Sequence, residues 1–122
     1  MDKEKFELLV EMALKSLPEE FLERLDNVEV LVADQPTYSQ LRKAGLKSNE
    51  TLLGIYEGVP RTRRDSNYGM VLPDKITVFQ KTIEAKCHSE NEVIVEIERV
   101  VKHEIAHHFG IDDERLRELG KY

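Results

Sequence analysis

Near the end of the chain stands His103-Glu104-Ile105-Ala106-His107, followed by Gly110 and Asp113. The pattern is H-E-x-x-H-x-x-G-x-x-D. Residues four apart lie one turn apart on the same face of a helix, so two imidazoles at this spacing can grip one ion. Zinc accepts such nitrogens at about 2.0–2.1 Å and favours a tetrahedral shell, which two histidines leave incomplete. A helix that stops and turns back towards its own ligands needs a residue tolerant of positive φ, and Gly110 stands at that place. Asp113, three residues on, is the candidate third ligand. Three protein ligands with one open position make a catalytic arrangement. Glu104 projects about 100° round the helix from His103. It is too far round to share the ion and near enough to take a proton from a water on it. Residue types and spacing therefore match amide hydrolysis by activated water, with Glu104 as general base. A structural zinc site fits less well, because such sites close with four protein ligands, commonly cysteines. The chain has one cysteine, Cys87.

These groups need a helix to carry them. Val93, Ile94, Ile97, Val100, Val101 and Ile105 fall on one side of a helical wheel. The pattern predicts a helix from Glu90 to Phe109, with Gly110 as its stop. Ser89-Glu90-Asn91-Glu92 predicts a capping box at its start, Glu92 reaching back to Ser89. Asp112 is placed to cap a short further helix carrying Leu116 and Leu119. At the other end of the chain, Phe6, Leu9, Val10, Ala13, Leu14 and Leu17 make the stripe of a first helix. Pro18 breaks it, and Glu19 to Leu25 continues as a short second one. Val28 to Val32, Leu52 to Tyr56 and Lys75 to Phe79 read as strands, whose relative directions stay open. Tyr38 to Ala44 reads as a short helix capped by Gly45.

The whole is 122 residues, 40% hydrophobic and 34% charged, the size of a single domain over 1–122. No apolar run approaches the roughly 20 residues of a membrane helix. The N-terminus starts charged and lacks the pattern of a signal peptide, so a cytoplasmic setting is expected. The 24 acids against 18 bases give a net charge of −6, which disfavours nucleic acid as a partner. One cysteine builds no disulfide framework, and Cys87 reads as a reduced thiol without a role.

The motif and its surroundings resemble the minimal zincin-like metallopeptidases, small bacterial proteins. The resemblance runs through His103 to Leu116, and upstream through Leu53-Gly54-Ile55-Tyr56-Glu57-Gly58-Val59-Pro60 and Leu72-Pro73-Asp74-Lys75-Ile76-Thr77. It extends to Leu17-Pro18-Glu19-Glu20-Phe21 and Val28-Glu29-Val30. It implies an α+β zincin-like fold. A small sheet of about three to four strands would pack against an active-site helix, with an N-terminal helix and a short C-terminal one. It implies one zinc ion on His103, His107 and Asp113, with Glu104 as general base and a peptide or protein as substrate. In metzincins the position of Asp113 is a histidine, and a methionine turn follows; this chain has neither.

Two other functions share the ligand set. The ribosomal-RNA-processing metalloendoribonucleases use a third histidine and lack the glutamate, whereas this chain has Glu104 and Asp113. A metal-stabilised module could instead hold a peptide without cleaving it. Four further features have weaker claims. His108 lies about 140° from His103, towards the apolar side, and reads either as a partly buried residue or as one supporting the ligands from behind. His88 reads as a solvated loop residue. The basic run Arg61 to Tyr68 reads as a solvated loop or as a lid, with Tyr68 or an arginine as oxyanion donor. The strand Lys75 to Phe79 is the candidate to lie along the cleft and pair with an extended peptide.

Overall fold

The computed structural model describes residues 1–46, 51–59 and 72–110. Asp113, the helix expected after Asp112 and the basic run Arg61 to Tyr68 lie outside them. Among the described residues the chain forms an α+β fold. Its five helices are α1 (Lys3–Lys15), α2 (Glu19–Arg24), α3 (Tyr38–Lys43), α4 (Gln80–Lys86) and α5 (Glu90–Phe109). Its three strands are β1 (Val28–Ala33), β2 (Gly54–Glu57) and β3 (Asp74–Phe79). None of these helices is long and apolar enough to cross a membrane.

The sheet runs β1-β3-β2. β1 is parallel to β3, Val28 opposite Asp74 and Ala33 opposite Phe79. β2 is antiparallel to β3, Gly54 opposite Val78 and Glu57 opposite Lys75. The second strand thus begins two residues later than its apolar run. β3 is central, with a neighbour on each side, so it offers no edge for the peptide pairing expected of it.

The predicted stripes make the core. Phe6, Leu9, Val10 and Ala13 of α1 meet Val93, Ile97, Val100, Val101 and Ile105 of α5, and Ile76 and Val78 of β3 close the cluster. α5 packs against α1 and against both β2 and β3. Burial of the larger of these side chains contributes about 1.5–3 kcal/mol each and outweighs the weak strand preference of the β-branched run in α5.

Caps set where α5 begins and ends. The Ser89 hydroxyl accepts the Glu92 N–H at 3.1 Å. The Glu92 carboxylate, however, accepts from the N–H of His88, not of Ser89, so the predicted box is displaced by one residue. A reciprocal box forms instead at α3, between Thr37 and Gln40. At the other end Gly110 takes φ 72° and ψ 26°, and its N–H returns to the Ala106 carbonyl. That left-handed cap is the turn expected of it.

Gly54 brings β2 against α5. A Cβ there would stand 2.6 Å from Val100 Cγ1 and 3.1 Å from the Thr77 carbonyl oxygen. Both neighbours are stiff, one a β-branched side chain and the other backbone. Gly54→Ala is expected to cost about 1–3 kcal/mol through overpacking. Urea denaturation checks it, and an unchanged midpoint would count against so close an approach.

A second local device holds α4 to α5. Glu96 accepts from Arg99 at 2.6 and 3.0 Å and pairs with Lys86 at 2.8 Å. The Arg99 hydrogen bonds, then Lys86, hold the Glu96 carboxyl down from 4.5 to about 2, against the opposing effect of burial. A carboxyl depressed in the fold stabilises it above the unfolded value, and that contribution disappears as pH falls from 4.5 to about 2. Both cations are half exposed, so water screens the pair. Glu96→Gln is therefore expected to cost about 1–2 kcal/mol at pH 7. Melting curves of the two proteins should converge as the pH is lowered through that window.

Candidate active site

His103, Glu104 and His107 stand on the last two turns of α5, on the side away from the α1 contact stripe. They line a cleft of about 570 Å³ together with Gly54 to Gly58 and with Lys43 and Ala44 at the end of α3. The volume suits a bound small molecule or a segment of chain. A smaller pocket of about 220 Å³, bounded by Leu52, Arg99 and Val100, shares His103 and Glu104 with it. The cleft-lining strand is thus β2, not β3.

The helical spacing has its expected consequence. The rings of His103 and His107 lie with centroids 4.1 Å apart and planes inclined by 60°. His103 and Glu104 are half-buried, and His107 is exposed to the cleft. The donor set, two imidazoles on one helix face opening into a cleft, fits a borderline-soft divalent ion such as zinc. Among the described residues no group of three or more histidine, cysteine or acidic side chains converges as a metal cage. Asp113, the third ligand expected from the sequence, lies outside the described residues.

Glu104 does not hang free in solvent. Its Oε1 accepts the backbone N–H of Tyr56 at 3.0 Å. That amide points off the edge of β2 opposite β3. Burial pushes the Glu104 carboxyl above its ordinary range, while the Tyr56 N–H and His107 pull the other way. A carboxyl raised in this manner is a better proton acceptor than an exposed one. Across the cleft, burial would raise Glu57 as well, but hydrogen bonds from Lys43 and Gln40 overcome it and keep its carboxyl low. Glu57 is thereby committed to an ion pair with Lys43 at 3.0 Å, whereas Glu104, among the described residues, is held by a backbone amide.

The residues of weaker claim divide. His108 is exposed rather than partly buried, because α5 has run past the packed core by its last turn and His107, His108, Phe109 and Gly110 are all exposed. It nevertheless stacks on Tyr56, ring centroids 3.9 Å apart and planes 15° from parallel. His88 is exposed, as expected of a loop residue. The Cys87 thiol is pushed up by burial and by Glu96 and Glu92, which makes it a poor nucleophile. Sequence reasoning missed Asp74, which is 8% exposed. It accepts the Tyr56 hydroxyl at 2.7 Å and the Val59 N–H at 2.9 Å. Its only signal was an acid opening a strand that is otherwise buried.

No curated protein matches the chain. Among solved structures it is similar to a conserved hypothetical protein from Thermo thermophilus, with 23% identity and a TM-score of 0.56. That alignment covers 89% of this chain and 94% of the other. At that identity the likeness establishes the fold. The sequence profile of the zincin-like metallopeptidases matches residues 25–122, the whole stretch from the end of α2 through the histidine helix, and the chain belongs to that family.

Proposed function

We propose that the protein is a zinc-dependent peptidase in which His103, His107 and Asp113 hold the metal and Glu104 is the general base. The observation that carries this reading is the pairing of the two imidazoles, 4.1 Å between centroids, beside a carboxylate fixed at 3.0 Å by the Tyr56 N–H. Zinc, when bound, supplies Lewis acidity that polarises a carbonyl and eases loss of a proton from water. The chain's own groups do the rest. Glu104 takes that proton on the carboxylate and returns it to the leaving amine. The Tyr56 N–H keeps the carboxylate at the wall of the cleft, so the base has one geometry rather than several. β2 and the end of α3 form the walls along which a substrate chain would lie.

Glu104 also weighs against the nuclease reading, which has no use for a glutamate at that place. The test is direct. Zinc-loaded protein is incubated with a mixture of unstructured peptides and, separately, with structured RNA, and products are followed by mass spectrometry and by gel. New peptide termini are expected, with the RNA intact. RNA cleavage without peptide cleavage would overturn the reading in favour of a nuclease. Peptide retention without cleavage would favour a binding module.

A further inference from the structure

The residues around the Glu104–Tyr56 contact form a chain of contacts that reaches a buried acid. Asp74 opens β3, where the β2–β3 ladder has run out: Glu57 opposite Lys75 is the last pair. Beyond it the Asp74 side chain takes over the ladder's work. One carboxylate oxygen accepts the Tyr56 hydroxyl at 2.7 Å and the other the Val59 N–H at 2.9 Å. A short bond from a hydroxyl to a carboxylate is the strong kind. The acid thus grips the β2 arm on both sides of Gly58. The Gly58 backbone is itself seated there, since a Cβ on it would meet Asp74 Oδ1 and His108 Cε1, each at 3.6 Å.

What Asp74 grips faces the cleft. Tyr56 donates its N–H to Glu104 and offers its ring to His108, the residue next to His107. Phe109 meets the same ring edge-on at 6.3 Å. The last turn of α5, just before the chain turns at Gly110, is therefore tied to β2 through one tyrosine, and the tyrosine is tied to Asp74. We propose that Asp74 is a positioning residue: through Tyr56 it sets the Glu104 carboxylate and the end of the histidine helix. This rests on the peptidase reading for its catalytic meaning, but the tether itself runs through none of the proposed metal ligands.

The experiment uses the full chain and two variants. Tyr56→Phe removes the hydroxyl and keeps the ring; Asp74→Ala removes both acceptors. In metal-free protein, exchange of the Tyr56 amide proton is measured by NMR, together with the Glu104 carboxyl carbon shift and the ring-current shift of the His108 protons. On cobalt titration, the affinity and the visible band are recorded. The expected result for Tyr56→Phe is Tyr56 amide exchange at least about tenfold faster, with α1 amides unchanged, a moved Glu104 carbon and a cobalt affinity about 10–100-fold weaker with a shifted band. Asp74→Ala should do the same more strongly; if it fails to fold, Tyr56→Phe decides. Unchanged exchange and shifts in Tyr56→Phe would overturn the proposal. So would faster exchange with the wild-type cobalt band and affinity, which would make the tether structural only. A wild-type protein that takes up no cobalt would overturn the peptidase reading instead. The positioning of Glu104 would then be decided by the Tyr56 amide and the Glu104 carbon alone.

Discussion

Glu104→Gln should lower peptide hydrolysis about a thousandfold, the middle of the range for loss of a general base, while leaving the zinc content at that of the wild type. The substitution suits the question because glutamine keeps the size of the side chain and an oxygen that can still accept the Tyr56 N–H at 3.0 Å. It removes only the capacity to take a proton. A loss of turnover with unchanged KM would place the defect in the transition state rather than in binding. Peptide hydrolysis at the wild-type rate would remove Glu104 from the chemistry. Loss of the metal along with activity would assign it to the ion instead. A smaller defect, below about tenfold, would mean that another group or solvent serves as base.

The helix that carries Glu104 was legible in the sequence, but the setting of that carboxylate was not. The bounds of α5 could be read because three signals agreed: an apolar stripe from Val93 to Ile105, a serine at the start and a glycine at the end. Helical spacing is a local property, so the facing of His103 and His107 followed from it. The sheet depended on contacts distant in sequence. Nothing in Val28 to Val32 or Lys75 to Phe79 says that these strands run parallel, and nothing in the second run says that β2 closes the edge beside the histidines. The contact of Tyr56 with Glu104 spans 48 residues and uses a backbone amide, which carries no residue identity to read. Asp74 was hidden for a similar reason: an acid before a strand is ordinarily a turn residue, and only the β2 arm folding over it makes it a buried acceptor. Gly54 did leave a signal, since a lone glycine inside an apolar run marks a close backbone approach. The wheel misled at His108, because angle alone does not say where along a helix the core ends.

His107→Ala should weaken zinc binding by more than about a hundredfold, beyond what loss of a group merely supporting a ligand costs. His107 is the better of the two histidines for this test. It is exposed, and alanine is the stronger helix former, so the metal-free variant should be at least as stable as the metal-free wild type. Any deficit then belongs to the ion and not to the fold. The linkage gives a second readout. Zinc at about a hundred times its dissociation constant adds about 2.7 kcal/mol to a protein that binds it only when folded. For a chain of this length that is on the order of 10 °C in Tm. A chelator should therefore lower the wild-type Tm by that amount and leave His107→Ala unmoved. The two curves should superimpose once the metal is gone, because Val93, Ile97, Val101 and Ile105 hold α5 in the core without help from its polar face. If the wild type responds to chelator no more than the variant does, and carries less than about half an equivalent of zinc, the paired imidazoles of α5 are not a metal site, whatever their spacing.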